Sequence, residues 1–141
     1  PTSEWGMMIK IQKEDFILDN EIHQIKRKYN NVGAVSTFVG YVRNNNNKQK
    51  VYSIDIEVYK DMAYNSLKNM SLKASKKWSL IDTIIIHRYG KIKVNKKIVL
   101  VATLAEHRKQ SFEACNFLMN YLKKDAPFWK KEYYKKNFSW L

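Results

Sequence analysis

Three groups of basic residues stand where regular structure is expected to begin or end. Arg43 directly follows an apolar run, His107 and Arg108 lie between a strand pattern and a helix pattern, and Lys123 and Lys130 lie on either side of an expected turn. Strand ends and helix starts hold side chains at fixed positions, and the free N–H groups of a helix start attract anions. The pattern therefore indicates a site for an anionic ligand.

Each group also has a purely structural explanation. Arg43 could be a solvated residue that opens a polar loop, and His107 could bond to backbone at a helix start. Lys123 and Lys130 could be ordinary cations near the carboxyl end of a helix, where the macrodipole favours positive charge. Cys115 falls on the predicted apolar face of its helix, so a small core residue is favoured over a nucleophile.

The composition agrees with an anionic ligand without identifying it. The chain has 26 Lys+Arg and 13 Asp+Glu, a formal net charge of +13, which attracts nucleic acid, phosphorylated small molecules or acidic proteins. A single cysteine excludes an internal disulfide and a cysteine-based zinc cluster, and neither a metal nor a cofactor is predicted. Because no apolar run approaches the ~18 residues of a membrane span, we expect a cytoplasmic protein without a membrane partner.

Hydrophobic periodicity predicts strands alternating with helices. The polar segment 44–50 is expected to be a mobile loop, and the strands that flank it could pair as a hairpin. This order favours an α+β fold with a mainly antiparallel sheet and flanking helices, in a single domain over residues 7–141, with residues 1–6 as a possible non-native leader. The predicted strands are 8–12, 33–42 (mostly buried), 51–59, 81–90 and 97–105, and the predicted helices are 19–29, 61–78 and 111–123.

The same spacing predicts which side chains enter the core. Asp19 or Asn20 is the expected cap of the first helix, Met62 is assigned to the core, and Pro127 is expected to end the last helix. The expected core faces are Tyr52, Ile54, Ile56 and Val58 on the third strand, Ala63, Leu67, Met70, Ala74 and Trp78 on the second helix, and Phe112, Cys115, Met119 and Leu122 on the third.

Four parts of the chain together resemble the large, catalytic subunit of molybdopterin synthase. They are "GAVSTFVGYVRNNN", "IIIHRYGKI", "AEHRKQSFEACNFLMNYLKKDAPFWKKE" and the late Trp140, in the order and spacing of that family. The resemblance covers nearly the whole chain from Met8 to Trp140. The third part is the most specific, since a His-Arg pair, a helix and an "APFWKKE" segment follow one another without a gap.

The resemblance implies an α/β-hammerhead domain that forms a homodimer. Each end of the dimer would bind a small ubiquitin-like sulfur-carrier subunit, giving a heterotetramer. The enzyme would transfer sulfur from the C-terminal thiocarboxylate of the carrier to cyclic pyranopterin monophosphate, and so make molybdopterin. Since the carrier supplies the sulfur, the enzyme would need no cysteine of its own.

Position by position, the resemblance also assigns the site. Lys123 and Lys130 match the two lysines regarded as catalytic, and we expect Lys123 to act as acid or base and Lys130 to hold or polarise the substrate. The alternative is a basic nucleic-acid-binding module, which lysines interleaved with aromatic residues near the carboxyl end would suit, although nucleic acid is not the expected partner. The implied substrate-binding residues are Tyr41, Val42, Arg43, His107, Arg108, Lys131 and Glu132.

Overall fold

The computed structural model describes residues 6–46, 49–134 and 138–140. Within them the chain forms three helices and nine strands. No helix in this part of the chain is long and apolar enough to cross a membrane. The elements are β1 (Met8–Gln12), α1 (Leu18–Lys26), β2 (Ala34–Tyr41), β3 (Asn45–Asn46), β4 (Gln49–Val58), α2 (Lys60–Trp78), β5 (Asp82–Arg88), β6 (Gly90–Lys93), β7 (Lys97–Ala105), α3 (Arg108–Lys124), β8 (Phe128–Tyr134) and β9 (Phe138–Trp140).

The first sheet has four strands in the order β1-β5-β7-β2. Only the β1–β5 pair is parallel. Its two central strands, β5 and β7, are apolar runs buried along nearly their whole length, as expected when both faces of a sheet are covered. One face packs with side chains of α2 and α3, and the other packs with side chains of α1.

The second sheet has five strands and is built around β4. β4 pairs antiparallel with β8 and with β6, while β3 and β9 lie at the two ends of the path. Ile54, Ile56 and Ile92 from this sheet share one core with Ile85 and Val101 of the first sheet. Each of these buried side chains contributes about 1.5 to 3 kcal/mol of hydrophobic stabilisation. The two sheets are thus joined by a common core.

The α+β class and the antiparallel character are confirmed, but the predicted hairpin is wrong. β2 pairs with β7, and β4 pairs with β8, so the two neighbouring strands lie in different sheets. The prediction that β2 is mostly buried is also wrong, because β2 is an edge strand with half of its side chains exposed. Short-range spacing cannot reveal which distant strand is the partner.

Two predicted core faces are shifted. A register irregularity between Val51 and Ser53 buries Val51 and leaves Tyr52 exposed. On α3 the buried residues are Ser111, Ala114, Cys115 and Leu118, and Phe112 is 69% exposed. Polar Ser111 is buried by tertiary hydrogen bonds, a signal that hydrophobic spacing does not contain.

Three smaller expectations also needed correction. Met62 is 58% exposed rather than in the core, and α1 begins at Leu18 without a side-chain cap, so Asp19 lies in its first turn. Within the polar segment predicted to be a loop, Asn45–Asn46 pairs with β4 as β3, and residues 47–48 lie outside the described residues. The end of α3 before Pro127 is confirmed.

Candidate functional site

A cavity of about 420 Å³ lies where the two sheets meet beside the carboxyl end of α3. Its walls come from β2, β5, β7, α3 and β8, of which the last three are consecutive in the chain. The floor is partly apolar, and the polar groups are mostly cationic. The lining residues are Phe38, Gly40, Tyr41, Arg43, His87, Ile98, Val99, Met119, Leu122, Lys123 and Lys130.

A bulge at the end of β2 places two of the predicted site residues. The register with β7 shifts between Gly40 and Tyr41, and such irregularities redirect side chains. A Cβ on Gly40 would come within 3.0 Å of Val99 Cγ1, so a side chain there would crowd the cavity floor. Tyr41 and Arg43 both line the cavity beyond this bulge.

Val42 lies between them but offers nothing to a ligand. Its side chain is 3% exposed and belongs to the shared core. Its N–H donates to the Lys96 carbonyl oxygen at 3.0 Å, and its own carbonyl oxygen accepts from the Asn95 N–H at 2.9 Å. Val42 therefore fixes the position of its neighbours, and it is not among the lining residues of the cavity.

The carboxyl-terminal turn of α3 supplies the second wall. Met119, Leu122 and Lys123 share one helical face at spacings of three and four residues and all line the cavity. The Tyr121 hydroxyl is hydrogen-bonded to the Ser66 hydroxyl of α2, which fixes this turn against the neighbouring helix. Lys124, one residue on, points about 100° around the helix.

β8 supplies the third wall. Strand alternation puts Lys130 on the same face as Phe128 and Glu132 and puts Lys131 on the opposite face. Glu132 is buried, and its Oε1 accepts a hydrogen bond from the Tyr134 hydroxyl at 2.6 Å. Burial lowers the pKa of Lys130, the charge of Lys123 lowers it further, and Glu132 acts in the opposite sense. Lys130 therefore gives up its proton more readily than an ordinary lysine.

His87 also lines the cavity, although it is absent from the predicted site. It is 4% exposed, and its ring stacks on Phe128 with centroids 3.7 Å apart and planes 17° from parallel. Nδ1 lies 2.8 Å from the Arg88 carbonyl oxygen. A His-Arg pair at a strand end was visible in the sequence, but His87 and His107 both have it, so the pair alone could not choose between them.

His107 and Arg108 lie away from the cavity in the structure. Both are exposed at the amino end of α3, roughly 22 Å along the helix from Lys123. Buried hydroxyl groups fix this end: Thr103 Oγ1 donates to the Ser111 carbonyl oxygen at 2.7 Å, and Ser111 Oγ lies 2.5 Å from Ser36 Oγ. One chain therefore cannot bring this pair to the cavity.

Other candidate sites are weaker. A second cavity of about 390 Å³ is lined by Glu57, Val58, Tyr59 and Trp129, with no cation in its described lining. Burial raises the pKa of the Cys115 thiol to about 11, so little reactive thiolate exists near neutral pH. No group of three His, Cys, Asp or Glu residues among the described residues could hold a metal ion. The cation-lined cavity is the best candidate site.

The fold and this cavity define an α+β protein with a cation-lined cavity between its two sheets. A family described as MoaE protein matches residues 11–125. The molybdopterin synthase catalytic subunit of Ralstonia nicotianae is 41% identical over 133 residues, which cover 94% of this chain and 76% of the relative. The chain belongs to the MoaE family.

Solved structures give the same result for the fold. A molybdopterin synthase structure from Staphylococcus aureus matches with a TM-score of 0.87 and 27% identity, covering 94% of this chain and 95% of that one. A structure from Helicobacter pylori, described as a complex of subunits 1 and 2 of molybdopterin-converting factor, matches with a TM-score of 0.76 and 20% identity, covering 95% and 88%. The predicted α/β-hammerhead fold is confirmed.

Proposed function

We infer that this chain is the catalytic subunit of a molybdopterin synthase. It transfers sulfur from the C-terminal thiocarboxylate of a small ubiquitin-like carrier to cyclic pyranopterin monophosphate. Membership of the MoaE family supports the reaction. The observation that carries the placement of the reaction is that Arg43 lines one cavity together with Lys123 and Lys130, which lie about 80 residues further along the chain.

The cations of the cavity suit a cyclic phosphate. Arg43 presents a planar set of donors that can bind two phosphate oxygens at once, and Lys123 adds a second positive charge. The apolar side chains of Met119 and Leu122 lie beside Lys123 and would contact the ring system. The substrate would therefore bind with its phosphate towards Arg43 and its rings against the apolar wall.

Lys130 is the better candidate for proton transfer. Sulfur attack and opening of the phosphate ring both move protons, and a group works best when its pKa lies near the working pH. The pKa of Lys130 is lowered mainly by burial, because an apolar environment disfavours the charged form. We therefore assign proton transfer to Lys130, and binding and orientation to Lys123, the reverse of the roles expected from the sequence.

The nucleophilic sulfur would come from the partner. Cys115, the single cysteine of the sequence, is buried on the core side of α3 with a raised pKa, which disfavours an enzyme-borne thiolate. The cavity mouth, where Tyr41 is 54% exposed, leaves room for an extended carrier tail. We place this reaction in the cytoplasm.

A homodimer would explain the position of His107 and Arg108. Phe112 of α3 and Val35 of the edge strand β2 are exposed apolar side chains. A second copy of the chain could cover both of them. In a two-fold dimer each copy gives the same surface to the other. His107 and Arg108 of one copy would then reach the cavity of the other, and two carriers would complete a heterotetramer.

The deciding experiment compares two neighbouring lysines. Lys123→Ala should fold, bind the carrier and yet make little molybdopterin when incubated with thiocarboxylated carrier and cyclic pyranopterin monophosphate. We expect a loss of ~10² or more in rate, since a group that orients the reactants is removed. Lys124→Ala removes the same charge from a different face and should retain nearly wild-type activity. Equal loss in both variants would show that only the general charge of the segment matters.

Family membership does not favour the alternative of a nucleic-acid-binding module. The net charge of +13 nevertheless leads us to expect weak binding to polyanions at low salt. Binding of single-stranded RNA with micromolar affinity at about 0.15 M salt would support the alternative, because nonspecific contacts weaken steeply with salt.

A further inference from the structure

His87 differs in chemistry from the three cations that line the cavity. Arg43, Lys123 and Lys130 can only donate hydrogen bonds when charged. These cations suit a phosphate, but a reduced pterin ring carries N–H and NH₂ groups that must donate to something. A pocket that recognises the ring as well as the phosphate therefore needs an acceptor.

The surroundings of His87 leave one nitrogen free to accept. Nδ1 faces the Arg88 carbonyl oxygen at 2.8 Å and so carries the proton, because a carbonyl oxygen can only accept. In the neutral ring Nε2 then holds a lone pair. Among the described side chains no hydrogen-bond partner of Nε2 is found, while the residue itself lines the cavity.

The neutral form of His87 is strongly favoured. Burial is the main cause that lowers its pKa to about 4, the charge of Lys130 lowers it further, and the bond to the Arg88 carbonyl opposes both. The ring is also held in place, since it stacks on Phe128 at 3.7 Å. An orientated, neutral acceptor therefore lies beside Lys130 at the working pH of a cytoplasmic enzyme.

We propose that Nε2 of His87 accepts a hydrogen bond from an N–H group of the pterin ring, which makes His87 a substrate-binding residue that recognises the ring and not the phosphate. This assignment rests on the proposed function. It gives the cavity two separate recognition groups: cations for the phosphate and one imidazole for the heterocycle. It also assigns a role to the ring stack with Phe128, which fixes the direction of the acceptor.

The test compares two ligands in the complex of the chain with its carrier. His87→Phe keeps an aromatic ring for stacking on Phe128 but has no acceptor. Its dissociation constant for cyclic pyranopterin monophosphate should rise about tenfold or more, because a buried donor is left unpaired. Its dissociation constant for inorganic phosphate, measured by NMR titration, should change by less than about twofold. Unchanged affinity for the pterin would overturn the proposal.

Two amide variants separate an acceptor from simple packing. His87→Gln can place an amide oxygen near the position of Nε2 and should recover part of the pterin affinity. His87→Asn is too short to do so, although its amide can still reach the Arg88 carbonyl. Equal affinities of these two variants would contradict the proposal, even if His87→Phe failed to fold.

Arg43→Ala distinguishes failure of this proposal from failure of the proposed function. It should weaken binding of both the pterin and inorganic phosphate. If it does so while His87→Phe binds the pterin normally, only the role of His87 is wrong. If Arg43→Ala changes neither affinity, the cavity is not the substrate site and the proposed function loses its structural basis.

Discussion

The two ends of α3 carry similar charges in different surroundings. At the amino end, His107 and Arg108 are exposed and are not among the lining residues of the cation-lined cavity. At the carboxyl end, Lys123 lines a cavity of about 420 Å³ together with Arg43 and Lys130. The amino end is fixed by buried hydroxyl groups, and the carboxyl end by the Tyr121–Ser66 bond. Both ends are therefore held in place, but only the carboxyl end contributes to the cation-lined cavity.

The comparison shows that the pKa of a cationic side chain, and with it the ability to transfer a proton, depends on the groups around it. The pKa of Lys130 is lowered because the side chain is partly buried and close to Lys123. An exposed side chain is solvated, so its charge costs little and is screened by salt. We therefore expect the carboxyl end to govern catalysis and the amino end to contribute to binding from a second copy.

The largest effect should come from Lys130. Lys130→Met keeps most of the side-chain volume but cannot transfer a proton, so the rate of molybdopterin formation should fall ~10² to 10⁴-fold. In the wild type the rate should rise with pH as Lys130 loses its proton, with a pKa below 10.5. The rate of the variant should not show this rise. The measurement is single-turnover product formation against pH.

Lys91→Met is the matched control, since Lys91 is an exposed lysine of the same sheet that lies outside the described lining of the cavity. It should keep both the rate and the pH profile. A similar loss in both variants would mean that the general charge of the sheet matters, and would remove the contrast between the cavity and the open surface.

The second effect concerns stability against pH. Burial lowers the pKa of folded His87 from 6.5 to about 4, so between these values the unfolded chain binds a proton that the folded chain does not. The contribution of neutral His87 to the free energy of unfolding is fully present above pH 6.5. About 3 kcal/mol of it is lost as the pH falls towards 4. Urea unfolding of the wild type and His87→Phe should show this slope only in the wild type.

His107→Asn serves as the control at the other end of α3, because its side chain is exposed. It should retain the wild-type dependence of unfolding free energy on pH. Suppose that the dependence of unfolding free energy on pH is lost in His107→Asn and unchanged in His87→Phe. That result would mean that His87 is not the histidine responsible for it.

The smallest of the three effects compares the two arginines. Arg43→Ala and Arg108→Ala should each weaken binding of cyclic pyranopterin monophosphate by roughly 1.5 to 3 kcal/mol, the value of a hydrogen bond to a charged group. Calorimetry on the complex with the carrier measures this. Loss of affinity in Arg43→Ala alone would mean that the amino end of α3 does not take part in substrate binding.

Mixed dimers show whether the arginine comes from the second copy. If Arg108 of one copy completes the cavity of the other, mixing Arg108→Ala with Lys123→Ala gives dimers with one intact site. Random exchange should then restore about a quarter of the wild-type activity. No recovery in a mixture that has exchanged subunits would contradict a shared site.

Much of the fold was predictable from local pattern. The apolar runs of β5 and β7 and the stripe of Ala63, Leu67 and Ala74 on α2 appear as expected, because a continuous core imposes them on the sequence. β8 was not predicted, since Lys130, Lys131 and Glu132 interrupt any apolar alternation. Of those three residues, Lys130 lines the cavity and Glu132 is buried.

The candidate site was predictable only in part. The resemblance to a family supplied Arg43, Lys123 and Lys130, and the structure brings these together. It did not supply His87 or the apolar wall of Met119 and Leu122. A single sequence gives these residues no distinguishing signal, because a buried histidine and two helix apolar residues look like ordinary core.

By itself the sequence determined the order of the three helices and the five longer strands up to α3, the strong net positive charge and the absence of a cysteine suited to catalysis. Those properties depend on composition and on spacing over a few residues. The tertiary structure decided that β2 and β4 lie in different sheets, that Lys130 is partly buried beside Lys123, and that His87 faces the same cavity. The physical reason is that desolvation and Coulomb interactions depend on neighbours in space, which residues distant in the chain supply.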